Sequence, residues 1–77
     1  MAKSSKRPAA EGVYRVIDDV GSSLASWEEA ARNAVDTASK SIRDLRIAEV
    51  TKLDIRVEGG KVVAFRTRVQ LSFKYEG

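Results

Sequence analysis

The chain reads as a small α+β domain: a three-stranded antiparallel sheet packed on one long helix, in the order β-α-β-β. Three observations predict this. An early β-branched run closes at Gly21-Ser22-Ser23, an apolar periodicity of three and four residues begins at Trp27, and two period-two runs flank Gly59-Gly60.

The first element, Val13-Tyr14-Arg15-Val16-Ile17-Asp18-Asp19-Val20, is short and β-branched, and the glycine-serine cluster after it predicts a turn. Ser26 followed by Glu29 is the capping-box spacing, in which each side chain satisfies the other's exposed backbone N–H. Trp27, Ala30, Ala31, Ala34, Val35, Ala38, Ile42 and Leu45 then recur on one face, with Glu28, Arg32, Asp36, Lys40 and Arg43 opposite. That pattern predicts a helix from 27 to about 44. Half of its apolar stripe is alanine, so it can lie close to a sheet yet buries little area, at roughly 25 cal/mol per Å².

The C-terminal runs predict a hairpin. Leu53, Ile55 and Val57 alternate with charged residues. Beyond the glycines Val63, Phe65, Val69, Leu71, Phe73 and Tyr75 alternate with Arg66, Arg68, Gln70, Ser72 and Lys74. A three-residue loop, Glu58-Gly59-Gly60, would set Ile55 beside Val63 and Leu53 beside Phe65 and so align the apolar faces. The last strand would be about 46 Å long at ~3.3 Å per residue, and the helix about 27 Å at 1.5 Å per residue. One helix is too short for so long an apolar face. The distal end, at Val69, Leu71, Phe73 and Tyr75, is therefore expected to be covered by another subunit, with Trp27 as a further subunit contact.

Composition limits the chemistry. The 77 residues include no cysteine and no histidine, so disulfides, thiol nucleophiles, imidazole bases and the usual zinc sites are excluded. A chain this small has a core worth roughly 3–5 kcal/mol, and self-association is the staple that remains. Of the formal charge of +3, Lys3, Lys6, Arg7 and Glu11 supply +2. Residues 1–11 read as a disordered basic tail and 12–77 as one nearly neutral domain, which disfavours nucleic acid as a partner. No apolar run approaches the roughly 20 residues that span a bilayer. The basic start has no apolar h-region, so cytoplasmic residence is expected.

The strand–helix–strand–strand order is joined by Val13-Tyr14-Arg15-Val16-Ile17, Gly21-Ser22-Ser23 and Ser26-Trp27-Glu28-Glu29-Ala30-Ala31. Ala48-Glu49-Val50 and the closing Val69-Gln70-Leu71-Ser72-Phe73-Lys74-Tyr75 complete the set. Together they resemble the dodecin family over residues 13–76. The resemblance implies a hollow homododecameric shell, without catalysis, that stores or sequesters a flavin (FMN, riboflavin or lumichrome) between symmetry-related tryptophans. It places cofactor contacts at Ile47, Ala48, Glu49 and Arg66. Two of these depart from the family pattern: Ile47 stands where the flavin-stacking tryptophan would be, and Arg66 where a glutamine would meet the ring edge.

With its Ser-Trp pair and third-strand arginine the chain is also similar to the branch described as calcium-binding dodecins. That leaves a second reading, a flavin-independent dodecamer binding calcium or a phosphate-bearing cofactor. Calcium needs six to eight oxygens, and Asp18, Asp19 and Asp54 are the candidate ligands. Asp18 and Asp19 are adjacent in a strand and point to opposite faces, so carboxylates from neighbouring subunits would have to complete the site.

Overall fold

The computed structural model describes residues 13–74. The expected basic tail and Tyr75 lie outside the described residues. The elements follow the predicted order: β1 Tyr14–Ser23, α1 Trp27–Ser39, β2 Leu45–Glu58 and β3 Lys61–Lys74. They form one antiparallel sheet in the spatial order β1-β3-β2, with β3 central.

Strand β1 runs through the predicted turn. Gly21, Ser22 and Ser23 stay in the ladder opposite Thr67, Arg66 and Phe65. Gly21 there faces α1, and a side chain at that position would run into the Ala30 carbonyl oxygen. The glycine marks the place where helix and strand touch, which is one meaning of a glycine inside a strand.

The N-terminus of α1 forms half of the expected capping box. Ser26 Oγ accepts the Glu29 N–H at 3.0 Å, and the Ser26 N–H is donated to Ser23 Oγ at 3.3 Å. Helix α1 ends at Ser39, five residues short of expectation. Ser39 and Ser41 are weak helix formers, and Ser41 and Ile42 N–H both close onto the Ala38 carbonyl. The chain then turns into β2, where the Asp44 carbonyl accepts the Lys74 N–H at 3.3 Å. Ile42 and Leu45 still pack against the core, as their periodicity predicted.

The β2–β3 hairpin closes on a two-residue turn. Gly59 and Gly60 have φ of 59° and 77°, the pair of positive values that matches the twist of the flanking strands, and Glu58 pairs with Lys61. The three-residue loop expected above is not formed. The expected pairs of Ile55 with Val63 and Leu53 with Phe65 are not formed either: Val57 pairs with Val62 but Arg56 with Ala64, so Val63 is a bulge residue and the apolar faces coincide two residues further along β3. Ile55 then opposes Phe65, and Leu53 opposes Thr67. A second irregularity at Thr51 and a third at Arg46 keep the rest of β2 in phase with β3.

The core is Ala34, Ala38, Val69 and Leu71, with Ala31, Val35, Ile42 and Leu45 packed around it. Val69 and Leu71 are 0% exposed within one chain, and Phe73 is half-buried. This corrects, for Val69 and Leu71, the expectation that a neighbouring subunit covers them. Since α1 runs back along β1 towards the C-terminal half of β3, that half is roofed by its own helix. The half near the turn overhangs instead. Leu53 is 53% and Val62 52% exposed, with Val50, Ile55 and Val57 similarly bare.

Replacing Gly21 by alanine tests the helix seat. The added methyl has no room, so Gly21→Ala should cost about 1–3 kcal/mol, the usual range for overpacking. Denaturant unfolding would show a lower midpoint, and a midpoint equal to wild type would show that α1 is not seated on this glycine.

Candidate functional site

Cross-strand partners in an antiparallel sheet share a face, and this sorts the candidate residues. One face, against α1, carries Asp19 and Ser23 from β1, Phe65, Thr67, Val69 and Leu71 from β3, and Ala48, Val50, Leu53 and Ile55 from β2. The other carries Asp18 from β1, Arg66, Arg68 and Gln70 from β3, and Ile47, Glu49, Lys52 and Asp54 from β2.

Ile47, Glu49 and Arg66 therefore share the outer face, while Ala48 lies on the helix side. Ile47 stands opposite Ser72, six residues along β3 from Arg66, or about 20 Å at 3.3 Å per residue. No small ligand spans that within one chain, so a contact with both residues needs two subunits. The three metal candidates are likewise apart. Asp18 pairs with Gln70 and Asp54 with Arg66, on opposite sides of β3. Asp19 is on the other face. Among the described residues no cluster of three or more acidic side chains could hold a metal ion.

Arg66 and Asp54 face each other directly and form a fork: Nε to Oδ1 at 2.7 Å and Nη2 to Oδ2 at 2.9 Å. The Arg66 hydrogen bond holds the Asp54 carboxyl below its ordinary value against an opposing desolvation, helped by the charges of Arg66, Arg68 and Lys52. Asp54 in turn raises the Arg66 guanidinium. Next to this pair, Lys52 is directly opposite Arg68, a like-charge juxtaposition that costs free energy when unrelieved.

On the helix side, Trp27 packs edge-on against Phe65, with ring centroids 5.1 Å apart and planes at 72°. Its Nε1–H is donated to the Asp54 carbonyl at 3.0 Å. It remains 40% exposed above a groove of about 410 Å³ bounded by Ala31, Val50 and Leu53. Thr67, fully buried, donates its hydroxyl to the Trp27 carbonyl at 2.8 Å. Sequence reasoning missed Thr67. The available signal was the single polar residue in the alternating set Phe65, Thr67, Val69, Leu71 and Phe73.

These features define the class: a βαββ subunit whose sheet is only partly covered by its own helix. The Dodecin family profile matches residues 13–76, and the chain belongs to the dodecin family. It is 42% identical to the calcium dodecin of Mycobacterium tuberculosis over 62 residues, which is 80% of this chain and 87% of that protein. The crystal structure of that calcium dodecin superposes with a TM-score of 0.76, over 84% of this chain and 93% of that one. Dodecin from Streptomyces coelicolor gives 0.79 at 37% identity, covering 84% and 93%. Dodecin from Streptomyces davaonensis gives 0.78 at 26%, covering 84% and 96%. Among the described residues no helix is long and apolar enough to cross a membrane.

The Asp54–Arg66 fork carries a pH dependence with a defined sign. Because the folded-state carboxyl titrates below its unfolded value, the pair's contribution is present above that value and is lost as pH falls through the folded one. Acid unfolding of wild type and Asp54→Asn should therefore differ near neutral pH and converge at the acid end. Parallel curves at every pH would show that the fork contributes no linkage.

Proposed function

We infer that this dodecin assembles into a non-catalytic homododecameric shell that binds and holds a small ligand, and that the ligand is a cation of the calcium type. The observation that carries the assembly is the uncovered half of the hairpin. Val50, Leu53, Ile55, Val57 and Val62 form a contiguous apolar ribbon next to half-exposed Trp27, and such ribbons mark contacts between chains. The 42% identical relative is a calcium dodecin, and this supports the cation.

The flavin reading has less support in the geometry. Ile47, 58% exposed, offers no aromatic face on the outer side, and a missing ring forfeits about 0.5–1.5 kcal/mol per stacked pair beyond its area. Trp27 lies on the opposite face and is engaged by Phe65 and Asp54. Arg66 is already forked with Asp54, which leaves it less able to meet a ring edge or a phosphate.

Light scattering on a sizing column should give a species near twelve times the 8.5 kDa chain mass. Leu53→Asp combined with Val62→Asp should break it into smaller species. A stable wild-type monomer would end the shell reading.

Riboflavin fluorescence should stay unquenched at micromolar protein, and Ile47→Trp should introduce quenching. Strong quenching by the wild type would restore flavin as the ligand.

A further inference from the structure

Strand β2 is the anomaly of the fold. Its helix-facing residues Ala48, Val50, Leu53, Ile55 and Val57 are apolar, as in a half-buried strand, yet every residue of β2 after Leu45 is exposed. The cause is where α1 sits. Its alanines meet β1 at Gly21 and β3 at Val69 and Leu71. Towards the hairpin it reaches β2 through Trp27, whose Nε1–H bonds the Asp54 carbonyl. A lane about one helix wide is left open above β2, roughly 10 Å across and about 26 Å long from Val50 to Val57 at 3.3 Å per residue.

The chemistry of the lane specifies its occupant. Val50, Leu53, Ile55 and Val57 offer no charge, while the outer face of the same strand holds Glu49, Lys52, Asp54 and Arg56. Exposed Glu28 is the one charge that lines the adjoining groove. A partner recognised here therefore presents an apolar face of the same length, and the lane of a second copy is such a face. The chain's other bare apolar set, Tyr14, Val16 and Val20 on the outer face of β1, is interrupted by Asp18. The lane is also self-complementary. Half-exposed Leu53 stands near its midpoint, beside the groove of about 410 Å³ bounded by Trp27, Ala31 and Val50. In a two-fold contact a projection and a hollow beside the axis fill each other twice. Stacked sheets lie about 10 Å apart, the depth that α1 already occupies above its own sheet. The ribbon of a second copy thus enters the layer alongside α1 without displacing it.

We propose that β2 of one chain stacks face to face on β2 of a second, about a two-fold axis near Leu53. Leu53 and Ile55 of each copy then pack into the groove beside Trp27 of the other. The inference rests on the shell reading above and names the surface and the symmetry of one of its contacts. A footprint of a few hundred Å² falls short of the roughly 800 Å² per partner that a stable dimer buries. The pair is therefore one contact within a closed shell rather than a free dimer.

Charges at position 53 test the axis. Leu53→Lys and Leu53→Glu should each lose the full-size species on the sizing column, since like charges then face across the contact. Co-expressed, the two variants should recover it, because opposite charges meet only where position 53 faces its own copy. Leu53→Cys, the single thiol in a chain without cysteine, is a milder probe. In the intact assembly a short bis-maleimide should link more than about two thirds of the chains into covalent dimers, a share that a three-fold ring cannot exceed. Either recovery or this crosslinking sustains the contact. Failure of both in a protein whose wild type is full-size overturns the two-fold and leaves the shell reading intact. Recovery obtained instead by joining Leu53→Lys to Val16→Glu in one chain overturns it in favour of a head-to-tail contact. A wild type that runs as a monomer overturns both.

Discussion

Helix α1 can lie against β1 only because Gly21 carries no side chain and the facing helix positions are alanines. Ala30, Ala34 and Ala38 are the buried residues of the helix, and the Ala30 carbonyl occupies the space a Gly21 side chain would need. Close seating keeps the sheet and helix in contact but buries little apolar area per residue. A helix of 13 residues covers about 20 Å at 1.5 Å per residue, while each hairpin strand has 14 residues and runs about 46 Å at 3.3 Å per residue. The same contact that makes the core therefore leaves half of the hairpin bare.

Most of the fold was legible because it rests on period and capping, which are local. The helix start at Ser26, the stripe through Ala38 and Ile42, and the alternation on either side of the glycines all act over a few residues. What was not legible depends on non-local fit. Gly21-Ser22-Ser23 carries a turn signal, yet the strand continues because β3 supplies partners and α1 needs the glycine's space. The hairpin register was argued from matching apolar faces, and the faces do match. They match through a bulge at Val63 after a tighter turn, a choice that composition alone does not distinguish.

The site was legible in part for a related reason. Ile47 and Arg66 share a face, as alternation allows, but alternation says nothing of the six-residue separation along β3 that keeps them apart within one chain. The direct opposition of Asp54 and Arg66 follows from the bulge as well. Without Val63's extra residue Asp54 would oppose Phe65 and Arg66 would fall on the other face, and the two-pronged contact at 2.7 and 2.9 Å would be lost. A small irregularity near the turn thus decides whether Arg66 is engaged or available.

Folding and assembly are one energetic problem in this chain. Five half-exposed aliphatic side chains, Val50, Leu53, Ile55, Val57 and Val62, would contribute roughly 4–7 kcal/mol if fully covered, at about 1.5–3 kcal/mol for each complete side chain. That equals or exceeds the roughly 3–5 kcal/mol that a core of this size supplies alone. Burial between copies therefore stabilises each subunit by mass action, and the stability of the chain becomes a function of its concentration. The outer face cannot supply this term, since its exposed ion pairs are worth little and weaken with salt. Its charges act instead on which copies and ligands fit. The facing Lys52 and Arg68 favour a neighbour that presents negative charge, and they oppose packing of two outer faces in like register.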